Sequence, residues 1–413
     1  MNKYLDNKRT SLILLLVCFA TYTIIGFTRN AYTAAIAGII EEGYFTKFDA
    51  GTIASSFNIT YCISQIIGSY FVDKVSPFKI ILIGVVATLF ANIAMSLYPT
   101  YTVIFISRAV CGIAQFGIWP ALLKIVTQYT HEDYRRKWLY IMPLGITSGS
   151  VISYLAAGMV GNWRSMFVLS YVFTAICMVA FMAAAAYTNK KATGISPDKQ
   201  SQNSKTSSSE GKQLNSFKLF ATSGMLFMFV PVIMKSLIGT GISSWMPTLI
   251  MESYNVSSGI SNTMTAISTC ANFAAVLWVV LLYPKAFKLQ TTAVGMFNLF
   301  MVPLLIVSCS IGKIPLMLIV VLITLTNTFI NSIHQFFTVE MPSVYTKYNK
   351  SGMIAGIINA IGTFAGILGN IIYGYMAEKF DWNIIIASWA IMAFLAMAFS
   401  FVATPSWKKF IKK

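Results

Sequence analysis

Long apolar stretches separated by short polar segments run along almost the whole chain. A helix that crosses a membrane needs about 20 mostly apolar residues. At least eleven stretches meet this requirement, and a twelfth does so once a few polar positions inside it are allowed. The pattern predicts twelve transmembrane helices and no strands, an all-α membrane protein. The predicted spans are 11–39, 49–73, 78–98, 101–127, 137–160, 165–187, 217–250, 257–283, 289–311, 314–339, 351–376 and 383–404.

One long polar segment interrupts the pattern near the middle of the chain. Residues 188–216 are rich in Ser and Lys, a composition that is typical of a flexible linker and too polar to pack. We therefore predict an amino-terminal six-helix bundle over 1–187, a cytoplasmic linker over 188–216 and a carboxyl-terminal six-helix bundle over 217–413.

The two predicted bundles carry matching short motifs at nearly constant spacing. The Trp-Pro pair at 119–120 matches the Met-Pro pair at 341–342, an offset of 222 residues. The Asn-Trp pair at 162–163 matches the Asp-Trp pair at 381–382, an offset of 219 residues. Two pseudo-symmetric six-helix bundles describe the major facilitator fold, in which the substrate site lies near the membrane midplane between the halves.

The net charge of +17 reflects topology. If the amino end is cytoplasmic, 22 of the 30 Lys and Arg residues fall in predicted inside segments, and only 4 in outside segments. This asymmetry follows the positive-inside rule and predicts a multi-pass plasma (inner) membrane protein, of bacterial origin, with both termini in the cytoplasm. No nucleic-acid-binding module accompanies the charge, so we expect no nucleic-acid partner.

Sequence signatures of enzymes are missing from the chain. It has no phosphate-binding P-loop or nucleophile triad, and its six Cys have no metal-binding spacing. We expect a protein that is not an enzyme and has no cofactor or metal. Its expected partners are a small anionic substrate and membrane lipid, and we expect it to be monomeric. Residues 1–10 are polar and basic, so we expect no cleaved leader.

Three cations lie deep in the predicted spans without a carboxylate at similar depth: Arg29, Arg108 and Lys235. A charge at the centre of a bilayer costs about 2.5–3.5 kcal/mol on insertion scales, so such residues usually face a cavity, a partner or a substrate. A bound anion would supply the missing counter-charge. The asymmetry predicts a carrier of negatively charged solutes.

Two segments resemble motifs of the major facilitator superfamily. The run from Ser69 to Lys79 is similar to the loop motif G-x-x-x-D-[RK], with Ser69 in place of the usual Gly. The resemblance implies that Asp73 and Lys74 act in coupling or gating, although an ordinary pair at a helix end is the alternative. Arg108 with Gly112 resembles the R-x-x-x-G element of span 4, which implies a bracing or coupling role for Arg108.

A closer resemblance covers most of the chain. The runs at 26–32, 41–45 and 49–51 resemble the first span and loop of the organophosphate:phosphate antiporter family, the sugar-phosphate and glycerol-phosphate transporters. The runs at 111–120 and 355–382 are similar to spans 4 and 11 of that family. The resemblance implies that Arg29 contacts the substrate phosphate. Its planar fork of donors suits phosphate or carboxylate, and it keeps its charge at any accessible pH.

Departures from the family pattern reduce the positive charge of the predicted cavity. The position of a second family Arg in span 7 is Gly239, and Lys235 one helical turn earlier is a candidate replacement. Gln65 stands where the glycerol-phosphate branch has Lys, and Ile146 where some relatives have His. A carboxylate, a sulfonate or a larger amphiphilic anion therefore fits as well as a phosphate ester.

Other polar groups inside the spans are candidates for lining or gating. Tyr61, Gln65 and Gln115 are the predicted substrate-binding residues besides Arg29 and Lys235. Lys124 and His334 are candidate gating or coupling residues, His334 because an unperturbed His titrates near physiological pH. Further polar residues line the cavity or bond neighbouring helices, two alternatives that the sequence leaves open: Tyr22, Asn58, Asn272, Asn327, Asn331 and Asn359.

The resulting hypothesis is secondary transport of a small organic anion (organophosphate, carboxylate or sulfonate) by alternating access, with exchange as one mode. In it, the anion binds Arg29 and Lys235 between the halves. The alternatives are a proton-linked exporter of amphiphilic compounds in which His334 titrates, and a non-transporting membrane receptor that senses an anion.

Overall fold

The computed structural model describes residues 7–72, 75–191, 222–273, 286–348 and 350–412, together with residues 5, 220, 275 and 279. In these ranges the regular structure is entirely helical. Ten helices of the described part are long and apolar enough to cross a membrane. Predicted span 8 is described only in part, and the predicted gating residues Asp73 and Lys74, with most of the linker, lie outside the described residues.

The first part of the chain forms seven helices. They are α1 (Lys8–Glu41), α2 (Lys47–Val72), α3 (Pro77–Leu97), α4 (Tyr101–Gln115), α5 (Ile118–Gln128), α6 (Glu132–Val160) and α7 (Trp163–Lys191). Local chemistry sets several ends. The Asn7 side chain accepts the backbone N–H of Arg9 at the start of α1. Gly161 ends α6 with φ of +66°, a left-handed conformation that favours glycine.

The second part contains α8 (Met225–Tyr254), α9 (Ser258–Cys270), α10 (Gln290–Ser308) and α11 (Leu316–Gln335). A π-helical turn, Phe336–Glu340, and the short α12 (Met341–Val344) follow α11. A 3-10 turn, Tyr345–Tyr348, leads to the long helices α13 (Ser351–Lys379) and α14 (Trp382–Lys412).

Two of the predicted spans are not continuous α-helices. Span 4 is divided into α4 and α5 after Gln115, and span 10 passes through the π-helical turn before α12. Pro120 lies in the first turn of α5, where a backbone N–H would have no carbonyl partner within the helix. Proline therefore costs no helical hydrogen bond at this position. Pro342 lies in the first turn of α12 for the same reason. Both prolines belong to the matching Trp-Pro and Met-Pro pairs of the sequence, so the two matching positions lie at corresponding interruptions of the helices.

The chain divides into two compact units. Unit 1 comprises residues 1–42 and 56–209, and unit 2 comprises residues 43–55 and 210–413, so the start of α2 groups with the later helices. In unit 2 the Lys47 amino group lies 2.8 Å from a Glu252 carboxylate oxygen, which also accepts the Trp382 indole N–H. The Ser55 hydroxyl donates to the Ile367 carbonyl oxygen at 3.0 Å.

Unit 1 is built around α1, which packs mainly on α6 and α7. Small residues allow the close approach, because a Cβ on Gly26 would lie 2.5 Å from the Ile146 carbonyl oxygen. At the loop after α1, the Arg164 guanidinium donates to Glu42 at 2.7 Å and holds the pKa of that carboxyl below its usual value. In unit 2, α8 packs on α13 and α14, and α10 packs on α14.

Candidate functional site

The Arg29 side chain lies in a polar and aromatic environment inside unit 1. Its guanidinium carbon is 4.9 Å from the centre of the Tyr61 ring and 5.3 Å from that of Phe57. Cations within about 6 Å of an aromatic ring face are attracted by its quadrupole. The two rings are themselves stacked, with centroids 5.7 Å apart. Tyr61 and Phe57 therefore hold the guanidinium without neutralising its charge.

One nitrogen of the Arg29 guanidinium is engaged and the others are open. Nε donates to the Gln115 side-chain oxygen at 3.3 Å. The terminal Nη groups have no hydrogen-bond partner among the described residues, and Arg29 is only half-buried. No carboxylate in the described ranges pairs with Arg29. The fork of donors is thus held in place and free to receive an anion.

Gln115 connects this arginine to three helices. Its amide nitrogen lies 3.4 Å from the Thr28 hydroxyl of α1 and 3.5 Å from the Thr88 hydroxyl of α3. Gln115 is almost fully buried. Because its two donors face the threonine hydroxyls, its oxygen is directed to the Arg29 Nε, so the amide orients the guanidinium.

Arg108 lies next to Arg29 and has a different environment. Its Nη1 donates to the Arg29 backbone carbonyl oxygen at 3.1 Å. Its guanidinium carbon is 4.6 Å from the Phe57 ring centre and 5.2 Å from the Tyr32 ring centre. Only 4% of Arg108 is exposed. Arg108 thus joins α4 to α1 and α2, and it is too deeply buried to meet a solute as Arg29 can.

The approach of α4 to α2 depends on Gly112. A Cβ at this position would collide with the Thr60 hydroxyl and the Phe57 carbonyl oxygen. The Thr60 hydroxyl instead bonds the Ala109 carbonyl oxygen at 2.8 Å, which ties the two helices together. The predicted R-x-x-x-G element therefore brings Phe57 and Tyr61 against the arginines.

Unit 2 contains a second polar group around Lys235 of α8. The Lys235 amino group lies 3.1 Å from Nδ1 of His334 on α11. An ammonium has only donors, so a charged Lys235 requires Nδ1 to be the acceptor and the ring proton to be on Nε2. His334 is then neutral and orients the ammonium. No carboxylate of the described residues pairs with Lys235.

The position of the second family arginine has a packing role. A Cβ on Gly239 would lie 3.2 Å from the Ile330 side chain of α11. This contact is tighter than ordinary van der Waals contact, so α8 and α11 approach closely at Gly239. A longer side chain there would have to turn away from Ile330.

Three asparagines of unit 2 bond one another across helices. The Asn272 side-chain oxygen accepts from the amides of Asn327 at 3.1 Å and of Asn331 at 2.9 Å. The Asn331 amide also lies 3.1 Å from the Asn327 side-chain oxygen. We refer to Asn272, Asn327 and Asn331 as the amide triad. With His334, the triad residues of α11 occupy one helix face, at spacings of four and three residues.

The remaining predicted substrate-binding and gating residues of the described part lie on α2 and α5. Gln65 lies one turn after Tyr61 on α2 and is half-buried, without a hydrogen bond to another described residue. Lys124 lies on α5, nine residues after Gln115 and beyond the helix break. Phe57 was not predicted from the sequence. The sequence feature that could have identified Phe57 as a site residue is its position one helical turn before Tyr61, on the same helix face.

The long apolar helices are typical of a multi-pass membrane protein, and the family to which the chain belongs consists of transporters, not enzymes. The profile of the Major Facilitator Superfamily matches residues 18–342, and the chain belongs to this superfamily. The predicted fold class, an all-α membrane protein with the major facilitator fold, is thereby confirmed. Such a transporter carries a small substrate and is embedded in lipid.

Similar sequences include transporters of phosphorylated compounds. A probable hexose phosphate transport protein of Chlamydia trachomatis is 28% identical over 120 residues, which are 29% of this chain and 26% of that protein. The voltage-gated purine nucleotide uniporter SLC17A9 of Rattus norvegicus is 25% identical over 155 residues, 35% of this chain and 34% of that protein. The aligned region thus spans about a quarter to a third of these relatives.

Solved structures with the same fold cover nearly the whole chain. A bacterial homolog of the human lysosomal transporter Spinster, in an inward-facing and unoccupied conformation, superposes with a TM-score of 0.77 at 14% identity, over 98% of this chain and 99% of that one. A D-xylose–proton symporter superposes with a TM-score of 0.73 at 13% identity, over 95% and 97%. At these identities the similarity concerns the fold alone.

Proposed function

We propose that this chain is a secondary transporter of a small organic anion, operating by alternating access in the plasma (inner) membrane with both termini in the cytoplasm. The observation that carries the proposal is the open guanidinium fork of Arg29, fixed through Nε and flanked by two aromatic rings. A cation that is oriented but not neutralised inside a membrane protein is suited to an anionic solute.

The charge balance of the described residues supports the same conclusion. Arg29, Arg108 and Lys235 have no carboxylate partner there. A proton-coupled carrier of neutral solutes usually has an ionisable acid inside the spans. The hexose phosphate and purine nucleotide relatives are named for anionic compounds. Organophosphates therefore come first among the anions to test, followed by carboxylates and sulfonates.

His334 does not favour the proton-linked alternative. Its Nδ1 lies 3.1 Å from the Lys235 amino group, so a doubly protonated imidazolium would face a charged Lys235 at hydrogen-bond distance. The receptor alternative has no support from a described contact surface. Both alternatives predict that anion flux is absent or independent of Arg29.

Replacing Arg29 with Gln is expected to abolish anion uptake and to leave folding intact. Hydrogen bonds to charged groups contribute about 1.5–3 kcal/mol each, so losing the fork lowers uptake at least about tenfold at low substrate concentration. Arg29→Lys keeps the charge without the fork and is expected to retain partial uptake. Uptake is measured in proteoliposomes with labelled glycerol 3-phosphate, inorganic phosphate, gluconate and a short sulfonate.

The matched control is Arg164→Gln. It makes the same substitution at an exposed arginine that pairs with Glu42 outside the spans, so uptake is expected to stay near that of the unaltered protein. Near-normal uptake by Arg29→Gln would contradict the proposal. So would the absence of Arg29-dependent flux for every anion in the panel.

A further inference from the structure

A cavity of about 530 Å³ lies among the helices of unit 1, at the end where α1 begins and α7 finishes. Its walls come from the chain before α1, from the beginnings of α1 and α3, from Tyr129 after α5 and from the last turns of α7. Small-molecule pockets have volumes of roughly 300–1,000 Å³, so the cavity is large enough to hold a ligand. Neither Arg29 nor Arg108 is among its lining residues, so it is distinct from the candidate anion site.

The inner wall of the cavity is apolar and fixed in place. Leu5 and Leu14 form part of this wall, and both are at most 2% exposed. The Leu5 backbone N–H donates to the Tyr129 carbonyl oxygen at 3.1 Å, and the Leu5 carbonyl oxygen accepts the Ser11 hydroxyl at 3.1 Å. The segment before α1 is therefore held against the end of α5, and the apolar wall is formed without a ligand.

The opening of the cavity is polar and carries positive charge. It is lined by Ser76, Lys79 and Asn189, all of them exposed. The Ser76 hydroxyl makes no capping bond at the start of α3, and Lys79 has no carboxylate partner among the described residues. In the described part of the chain, the residues that line the cavity include no Asp or Glu. A hydroxyl and an ammonium are donors that suit a phosphate group.

The cavity leads to the apolar outer surfaces of α3 and α7, which pack on each other. An exposed apolar stripe runs along α3 at intervals of about two turns: Ile83, Phe90 and Leu97. Lys79 lies one turn before Ile83 on the same face. On α7, Val179 and Met182 are exposed, and Ala186 one turn further on lines the cavity. Exposed apolar positions of membrane helices face the acyl chains, so the cavity joins the acyl-chain region to the polar head-group region.

We propose that this cavity binds an anionic phospholipid, with the head-group phosphate at Lys79 and the first acyl carbons against the apolar inner wall. Charge complementarity selects this ligand, because basic pockets between membrane helices on the cytoplasmic side bind anionic head groups. A free anion would occupy the polar opening and leave the inner wall without an apolar partner. The inference goes beyond the proposed anion transport and does not depend on it.

The test compares lipids that share their acyl chains and differ in head-group charge. Dioleoyl phosphatidylglycerol or dioleoyl phosphatidylcholine is added to the purified full-length protein in detergent at one ionic strength, and the melting temperature is measured. A ligand of the folded state raises this temperature according to the ratio of its concentration to its Kd. Phosphatidylglycerol is expected to bind about fivefold tighter or more. Inorganic phosphate is expected to cause no shift.

Two substitutions test the charge and the space of the cavity separately. Lys79→Gln is expected to weaken phosphatidylglycerol binding about fivefold. Its control, Lys408→Gln, makes the same change at an exposed lysine of α14 and is expected to leave binding unchanged. Ala186→Trp places a large side chain at the cavity and is expected to abolish the preference for phosphatidylglycerol. Its control, Ala180→Trp, alters an exposed alanine about 9 Å earlier along α7 and is expected to keep the preference.

Equal affinities of the two lipids for the unaltered protein would overturn the site, and this result does not depend on any variant folding. An equal loss in Lys408→Gln and Lys79→Gln would show a general attraction to the basic surface and would overturn it too. A preference that persists in Ala186→Trp would place the lipid outside the cavity. A shift with inorganic phosphate as large as that with phosphatidylglycerol would assign the cavity to a free anion instead.

Discussion

At the scale of single residues, the two arginines of unit 1 have opposite environments. Arg29 is half-buried with open donors, and Arg108 is 4% exposed and bonded to the Arg29 backbone. The same amino acid is therefore half-buried with open donors at one position and bonded between helices at the other. The Phe57 ring lies against both guanidinium groups.

This difference predicts opposite effects on stability for one substitution. Arg108→Gln is expected to lower the melting temperature of the ligand-free protein, because it removes a charged hydrogen bond worth about 1.5–3 kcal/mol and two cation–π contacts. Arg29→Gln is expected to leave that temperature unchanged or raise it, because removing a half-buried charge that has no carboxylate partner offsets the loss of one hydrogen bond and two ring contacts. Thermal unfolding in detergent measures both, and a larger loss for Arg29→Gln would contradict these assignments.

At the scale of elements, small residues decide which helices touch. Gly26 allows α1 to approach α6, and Gly112 allows α4 to approach α2 beside the arginines. In membranes, where lipid is as apolar as leucine, close backbone packing is a main source of helix association. The site of unit 1 thus depends on a glycine that contacts no solute.

Gly112→Ala is expected to reduce both stability and anion uptake. The added methyl group collides with Thr60 and the α2 backbone, so α4 must move away and displace Phe57 and Tyr61 from Arg29. The control Gly356→Ala adds the same methyl group on α13, where no described atom lies within 4 Å. Replacing a helical glycine with alanine there is expected to stabilise by up to about 1 kcal/mol. Equal effects of the two substitutions on melting temperature would contradict this account.

At the scale of the whole molecule, the energy source of transport follows from the distribution of charge. Arg29, Arg108 and Lys235 have no carboxylate partner among the described residues, so an empty site leaves positive charge unpaired inside the membrane. A bound anion relieves this cost. The proposed anion transport therefore predicts exchange of one anion for another in preference to a return of the empty carrier.

Uptake into proteoliposomes is expected to rise when the lumen contains unlabelled anion. A proton ionophore is expected to change the rate little, because none of the proposed substrate-binding residues is a carboxylate that could carry the coupled proton. Labelled substrate uptake, with and without internal anion and ionophore, measures both effects. A rate that collapses with the pH gradient and in His334→Ala would support proton coupling instead.

The chain's sequence by itself determined the membrane class and the helical fold. These properties depend on hydropathy and local composition, which are read along the chain. The match between the predicted spans and helices such as α1 and α13 follows from this. The interruptions of spans 4 and 10 were missed, because hydropathy is the same on both sides of a helix break.

Only the tertiary structure decided which polar residues meet. Arg29 and Gln115 are 86 residues apart, and Lys235 and His334 are 99 apart. An apolar span has little periodicity, so its sequence does not indicate which face lies toward a neighbouring helix. The sequence therefore identified Arg29, Tyr61 and Gln115 as separate candidates, and the packing of α1, α2 and α4 brought them together around one guanidinium.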